Sequence, residues 1–313
     1  MTRCTVCGRE AIFLRKYSGE RLCKRCYINS IERKVEGIIS RYHMFDPEDR
    51  IAIAVSGGKD STSLLHILHK IEARFPRSEL IAITINEGIS GYRDEAINIA
   101  RESCKRLGVE HVVTSFKELY GHGLDEIVRV ADERNGLSPC SYCGVLRRRG
   151  LNVIARDVGA DKLAMAFTLD DEVQTRLLNL IHGDVSRLGR VGPVLEGGSA
   201  GFIPRVKPLC EVPEREVVLY AFLKGIRFQT AQCPYRRRGL RNDIRAFLNR
   251  LETRHLGTKY TILRSFEKMA PIMRELAGKV ELKKCRLCGE PTVSDVCKAC
   301  QSLLELGLID RPS

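Results

Sequence analysis

A short apolar run followed by glycines and a helical pattern constrains the fold of this chain more than any other feature. Residues 51–55 read IAIAV, which is typical of a fully buried strand. Ser56-Gly57-Gly58 follows, and apolar residues then recur at helical spacing through residues 59–71. Three further apolar runs alternate with helical patterns, at 80–85, 110–116 and 161–167. This alternation predicts a Rossmann-like α/β fold with a parallel sheet covered on both faces.

The loop after the first of these strands has the composition of an anion-binding loop. Its six residues are Ser56, Gly57, Gly58, Lys59, Asp60 and Ser61. Glycines let the backbone approach an anion closely, and the N–H groups at the start of the following helix point at it. Lys59 adds a cation, whereas Asp60 would repel a phosphate unless Mg²⁺ lay between them. The loop therefore predicts a nucleotide-phosphate site in preference to a plain strand–helix turn.

Two modules near the ends of the chain each contain two C-x-x-C pairs. Their cysteines are Cys4, Cys7, Cys23 and Cys26 in the first module, and Cys285, Cys288, Cys297 and Cys300 in the second. The N-terminus lacks an apolar secretion signal, so the pairs favour a metal over disulfides. Two pairs close a tetrahedron with no open position, which indicates structural zinc rather than a single iron.

These modules divide the chain into four zones. We predict a zinc ribbon over residues 1–30, a helical linker over 31–48, a central domain over 49–278 and a second zinc ribbon over 279–313. The last part of the central domain, from residue 240 to about 276, has a mostly helical pattern.

A fifth C-x-x-C pair, Cys140 and Cys143, has no second pair, and Cys233 is its best third partner. Three thiolates leave one coordination position open, which is what chemistry requires. From the residues alone, three interpretations stay open: a [4Fe-4S] cluster, a redox dithiol that carries a persulfide, and three buried thiols. Cys104 and Cys210 belong to no such pattern and are predicted to be core residues.

The charge of the chain favours a nucleic-acid partner. The formal net charge is +13, and arginines cluster between residues 227 and 254, where the only acids are Asp243 and Glu252. The arginines of this cluster are at positions 227, 236, 237, 238, 241, 245, 250 and 254. No apolar run approaches the ~18 residues of a membrane span, so we expect no membrane contact.

Taken together, the motifs resemble the PP-loop tRNA 2-thiouridine synthetases that carry flanking zinc ribbons. The resemblance rests on SGGKDS at 56–61, PCSYCG at 139–144 and QCPY at 232–235, set between the two cysteine modules. It implies an adenine nucleotide α-hydrolase-like fold that binds Mg-ATP, with adenine against the backbone near Ala54 and Ala166. It also implies a [4Fe-4S] cluster on Cys140, Cys143 and Cys233, and a catalytic Asp171.

For partners, the resemblance implies tRNA, a homodimer and a cytoplasmic location. The sulfur would come from a ubiquitin-like carrier that ends in a thiocarboxylate, or from free sulfide. ATP would adenylate the C2 oxygen of a tRNA uridine, and sulfur would then replace that oxygen. Two alternatives are another PP-loop tRNA-modifying ligase or amidase, and a zinc-ribbon RNA-binding protein without enzymatic activity.

The chain departs from the family pattern at three places. Ala166-Phe167-Thr168 stands where the family has G-H-N, and Asn86-Glu87-Gly88 where it has D-E-G. Arg147 stands where one branch has lysine. Arginine cannot serve as a base, so Arg147 is predicted to make an electrostatic or phosphate contact. Arg147 and its context favour the wobble uridine, position 34, over the T-loop uridine at position 54.

Overall fold

A computed structural model describes residues 2–197, 201–236, 239–278 and 282–310, which form ten strands and twelve helices. The strands are β1 (Phe13–Arg15), β2 (Glu20–Leu22), β3 (Arg50–Ala54), β4 (Glu79–Asn86), β5 (Glu110–Ser115), β6 (Lys162–Ala164), β7 (Val194–Leu195), β8 (Arg205–Val206), β9 (Lys283–Lys284) and β10 (Pro291–Thr292). The helices are α1 (Lys24–Arg41), α2 (Lys59–Glu72), α3 (Arg93–Leu107), α4 (Phe116–Tyr120), α5 (Leu124–Glu133), α6 (Pro139–Asp157), α7 (Leu169–Ile181), α8 (Val185–Gly189), α9 (Glu214–Lys224), α10 (Leu240–Arg254), α11 (Thr258–Ala277) and α12 (Lys298–Glu305).

The central sheet has the strand order β5-β4-β3-β6-β8-β7. All neighbouring pairs are parallel except the last, because β7 runs antiparallel to β8. The predicted parallel sheet is therefore confirmed, with an antiparallel edge strand that was not predicted. A strand of two residues carries no readable period, which is why β7 and β8 escaped the sequence analysis.

Apolar side chains cover both faces of this sheet. On one face, α1, α2 and α9 contribute Tyr27, Leu64 and Tyr220, which are fully buried. On the other face, α5 and α6 contribute Ile127 and Leu146. Continuous burial on two faces explains why strands such as β3 are apolar throughout rather than alternating.

The two cysteine modules are continuous with these cores. Cys4 and Cys23 lie in the same buried cluster as α1, and Cys285 and Cys300 lie in the same buried cluster as α6. The predicted core positions of Cys104 and Cys210 are confirmed, since each is 1% exposed.

Some element boundaries differ from the predicted ones. The linker helix expected within residues 31–48 begins earlier, at Lys24, and ends at Arg41. It begins there because Cys23 is its N-cap, so the second C-x-x-C pair of the first module occupies its first turn. The third strand ends at Ser115 rather than 116, because Ser115 and Glu118 form a capping box that starts α4.

Among the described residues, no helix combines the length and the apolar character that crossing a membrane requires.

Candidate active site

A cavity of about 660 Å³ opens at the carboxyl ends of β3, β4 and β6. Open parallel sheets bind ligands at this edge. The predicted site residues that line it are Ala54, Ser56, Gly58, Lys59, Asp60, Ser61, Arg147, Ala166, Asp171 and Cys233. The nucleotide loop and one of the three predicted cluster cysteines thus face the same space.

Hydrogen bonds between its own residues shape the glycine loop. The Ser61 hydroxyl accepts the backbone N–H of Ser56 at 3.0 Å and lies 3.0 Å from the Ser56 hydroxyl. Gly57 has a φ of +80°, in the left-handed region that favours glycine. An added Cβ at Gly57 would lie 2.1 Å from the carbonyl oxygen of Ala96 in α3. The loop can therefore pass this close to α3 only with glycine at position 57.

We expect Gly57→Ala to lower stability and nucleotide binding, because the new methyl group meets fixed backbone. The left-handed backbone conformation alone costs about 1–2 kcal/mol for alanine, and the collision adds to it. Gly108→Ala is the matched control, since Gly108 has a φ of +68° and open space around its Cβ position. Thermal denaturation and ATP titration of both variants test this, and equal losses for the two would contradict the role of the collision.

Lys59 is held in the cavity wall by two carboxylates. Its Nζ lies 2.8 Å from Asp60 Oδ2 and 2.7 Å from Glu214 Oε1, at the start of α9. Burial alone would lower the pKa of Lys59, but Asp60 and Glu214 raise it above its ordinary value. Lys59 is therefore a fixed cation at the loop, and Glu214 in turn contacts Arg245 of α10.

Two carboxyl groups, those of Asp60 and Asp171, line the cavity near the loop. Burial raises the pKa of Asp60 to about 6 against the pull of Lys59, and the nearby Asp171 raises it further. Burial also raises the pKa of Asp171, despite its hydrogen bonds with the N–H and hydroxyl of Thr168. Asp60 Oδ1 is buried and lacks a hydrogen-bond partner among the described residues. An oxygen-lined site of this kind fits Mg²⁺.

The three cysteines of the third set lie near one another beside this cavity, although their three Sγ atoms are not all within 4.8 Å of one another. Cys140 lies in the first turn of α6 and Cys143 at the start of the second, and Cys233 lies in the segment between α9 and α10. Cys140 Sγ is 3.7 Å from the carbonyl oxygen of Tyr235, and the Cys140 and Cys233 thiols are close enough to affect each other's charge. Burial raises the pKa of Cys143 to about 11. Iron would displace such a proton, since a coordinating thiol is deprotonated outright.

The surroundings of these thiols suit an anionic group. A helix N-terminus favours negative charge, and the first turn of α6 supplies one. Arg147, one turn further along α6, lies 3.3 Å through its Nη1 from Glu87 Oε1. These groups would suit an anionic metal cluster held by the three thiolates.

Sequence reasoning missed the residues that join the loop to the cysteine segments. Buried Arg93 contacts Glu87 at 2.5 Å and donates to the carbonyl oxygens of Ser56 and Ile85. Gln229 donates its backbone N–H to the Gly57 carbonyl at 2.9 Å. The Asn86-Glu87-Gly88 segment was a usable signal for Glu87, whereas nothing in the sequence pattern marked Arg93, Gln229 or Glu214.

The two end modules each bring four thiols together. Within each set of four, all Sγ atoms lie within 4.8 Å of one another. The sets are Cys4, Cys7, Cys23 and Cys26, and Cys285, Cys288, Cys297 and Cys300. This arrangement fits a closed tetrahedral metal site, with no position left for a substrate.

The arginines of the basic stretch divide into two groups. Arg227 pairs with Glu102 at 3.0 Å, and Arg245 pairs with Glu214. Arg236 lines the cavity, and Arg250 and Arg254 lie exposed on α10. Arg237 and Arg238 lie outside the described residues. Arg227 is exposed as well, and Arg245 alone of these is partly buried, so the phosphate contacts of this stretch stay a prediction.

The whole chain is similar to known tRNA-thiolation proteins. The family described as PP-loop domain matches residues 28–252, and the N-terminal LIM domain of the 2-thiouridine synthetase TtuA matches residues 3–28. The tRNA 2-thiolation protein NcsA of Haloferax volcanii is 38% identical over 95% of this chain and 97% of its own length. The tRNA-5-methyluridine(54) 2-sulfurtransferase of Pyrococcus horikoshii is 35% identical over 96% of this chain and 93% of its own length.

A solved structure agrees with these relatives. The U34-tRNA thiolase NcsA of Methanococcus maripaludis, solved with its [4Fe-4S] cluster, superposes with a TM-score of 0.85 at 35% identity. The match covers 100% of this chain and 99% of that one. The resemblance inferred from the motifs is thereby confirmed, and the chain belongs to the PP-loop family of tRNA 2-thiolation proteins.

Proposed function

We propose that this protein is an ATP-dependent tRNA-uridine 2-sulfurtransferase that makes 2-thiouridine at the wobble position 34. One observation carries the proposal: Cys233 and the loop of Ser56 to Ser61 line the same cavity. The uridine would then be activated and receive its sulfur in the same cavity. The names of the relatives support tRNA as the substrate and sulfur transfer as the reaction.

The first step needs ATP because the C2 oxygen of uracil is a poor leaving group. That oxygen would attack the α-phosphorus of ATP, forming an O–P bond while pyrophosphate departs. The loop N–H groups and Lys59 would hold the phosphates and stabilise the charge that develops on them. Asp60 and Asp171 would hold Mg²⁺, whose charge would remove the repulsion between these carboxylates and ATP.

The second step replaces oxygen by sulfur at C2. Sulfide attacks C2, the C2–O bond breaks, and the oxygen leaves with AMP. A [4Fe-4S] cluster, when bound, would supply a Lewis-acidic iron that holds the incoming sulfide. Cys140, Cys143 and Cys233 would hold that cluster. Arg147, fixed by Glu87, would stabilise negative charge near it and takes no part in proton transfer.

The choice of position 34 rests on two supports. Arg147 stands where one branch of the family has lysine, and the superposable M. maripaludis structure is a U34-tRNA thiolase. The relative from P. horikoshii acts by its name on position 54, at the same 35% identity. Position 54 is therefore the outcome that would correct this part of the proposal.

Mass spectrometry of tRNA nucleosides, after anaerobic incubation with ATP and sulfide, tests the proposal. We expect 2-thiouridine to appear at position 34, together with pyrophosphate that depends on both tRNA and ATP. Pyrophosphate without thiouridine would indicate another PP-loop ligase or amidase. Tight tRNA binding without pyrophosphate would indicate an RNA-binding protein.

Several other parts of the proposal await their own measurements. Zinc in both cysteine modules, a homodimer and a cytoplasmic location stay predictions. The choice between a thiocarboxylated carrier and free sulfide as the sulfur donor is likewise open to test.

A further inference from the structure

A second cavity, of about 390 Å³, lies beside the candidate active site and takes no part in the mechanism above. It is bordered by the first residues of α7 and α9 and by parts of α10 and α11. Asp170 lines this cavity, whereas the next residue, Asp171, lines the first one. Glu214 also lines it, and the same carboxylate holds Lys59 at 2.7 Å. The two cavities therefore share a wall.

The polar groups of this second cavity are held in place before any ligand binds. Asp170 and Lys259 are 6% and 7% exposed and form an ion pair, and Lys259 also donates to Asn249 Oδ1 at 2.7 Å. Glu252 accepts the backbone N–H groups of Gly257 and Lys259 at 2.8 and 2.9 Å. A pocket with its polar groups fixed in this way loses little entropy on binding a ligand.

The lining of the cavity suits a neutral ring better than an anion. Its charged residues are three acids and three bases, namely Asp170, Glu214, Glu252, Lys16, Arg215 and Lys259. Apolar side chains of Leu169, Val218 and Leu256 complete the walls. The volume falls within the range of about 300–1,000 Å³ that is usual for small-ligand sites.

The surroundings of the cavity suit a polyanion. Lys16 and Arg215 are exposed at the cavity, and Arg250 and Arg254 are exposed on α10. A nucleotide in single-stranded RNA combines these two requirements, because its base is a neutral ring and its phosphates are anionic. Proteins that recognise RNA loops bind splayed-out bases in pockets while cations contact the backbone.

We propose that this cavity binds one unstacked base of the tRNA loop that carries the target uridine. The inference rests on the proposed function for its tRNA substrate, and adds a second base-binding site next to the reacting one. Since Glu214 borders the cavity and also holds Lys59, the bound base would lie next to the residues that position the phosphates of ATP.

Thr253 and Thr261 offer a matched pair of variants. Both threonines are exposed, and both donate their hydroxyl to the carbonyl four residues earlier, but only Thr253 lines the cavity. We expect Thr253→Trp to fill the cavity and weaken tRNA binding about ten- to a hundred-fold, the size of a lost base contact. Thr261→Trp should bind tRNA like the wild type, and both variants should keep the wild-type affinity for ATP.

Removal of single bases from the tRNA identifies the occupant. An abasic nucleotide is placed at each position of the tRNA loop in turn, and the affinity for tRNA is measured. At one position the missing base should weaken binding to the wild type but leave binding to Thr253→Trp almost unchanged. Equal affinities of Thr253→Trp and Thr261→Trp for tRNA would overturn the inference. It would also be overturned if, at every abasic position, the loss caused by the missing base and the loss caused by Thr253→Trp multiplied. Val218→Trp fills the cavity from another wall and must reproduce the loss.

Binding is measured without ATP or sulfide, so it is independent of the thiolation assay. Loss of tRNA affinity in Thr253→Trp would uphold the inference even if no thiouridine formed. Normal thiolation with unchanged binding of Thr253→Trp would overturn the inference alone, and a wild-type chain that binds no tRNA would overturn both.

Discussion

Cys233→Ala should reduce 2-thiouridine formation to the background of a reaction without protein, while tRNA and ATP still bind. Cys233 lines the nucleotide cavity, and its thiol lies near those of Cys140 and Cys143. Two remaining thiolates could not hold a cluster that needs three protein ligands, so iron content and visible absorbance should fall with activity. Anaerobic reconstitution followed by iron analysis and nucleoside mass spectrometry measures both.

Cys104→Ala controls for the loss of a thiol in itself. Cys104 is buried in α3 and belongs to the core cluster that contains α1 and α2. Its replacement should shift the melting temperature by a few degrees at most and leave iron content unchanged. Wild-type thiolation by Cys233→Ala would refute the three-cysteine site. Thiolation by a wild-type chain that binds no iron, together with its loss in Cys233→Ala, would favour the persulfide alternative.

The central strands β3 and β4 were predictable because they are buried on both faces. A run such as residues 51–55 has no alternation to misread, and the glycines at 57 and 58 mark where β3 must end. The nucleotide loop followed from the same segment, since all six of its residues are contiguous. The strand β3 and the nucleotide loop could thus be predicted because the residues that form them are contiguous in the sequence.

The contacts that join distant segments were much harder to predict. Glu214 follows the loop by more than 150 positions in the sequence, yet its carboxylate holds Lys59. Arg93 and Gln229 were missed for the same reason. Each contacts groups that are distant in the sequence and adjacent only in the folded chain, such as the carbonyl oxygens of Ser56 and Gly57. The proximity of Cys233 to Cys140 and Cys143 was inferred from unpaired cysteines and from the resemblance to a family.

Lys59→Met should lower the rate of tRNA-dependent pyrophosphate release by about a hundred- to a thousand-fold, the usual effect of removing one charge-stabilising donor. The loss has a second cause in this protein. Without Lys59, the phosphates of ATP would lose a cation while Glu214 kept its negative charge nearby, so binding of ATP should weaken as well.

Lys70→Met is the matched control, because Lys70 lies near the other end of α2 and pairs with Glu32. We expect its rate of pyrophosphate release to stay within about two-fold of the wild type, because Lys70 lies about three helical turns from the loop and buried Glu32 keeps Tyr220 and Lys224 as partners. Both variants should bind tRNA like the wild type, which separates chemistry from RNA binding. Single-turnover assays with saturating tRNA decide the matter. If Lys59→Met released pyrophosphate as fast as Lys70→Met, the loop could not be the phosphate site, because its one lysine would then have no part in stabilising the transferred charge.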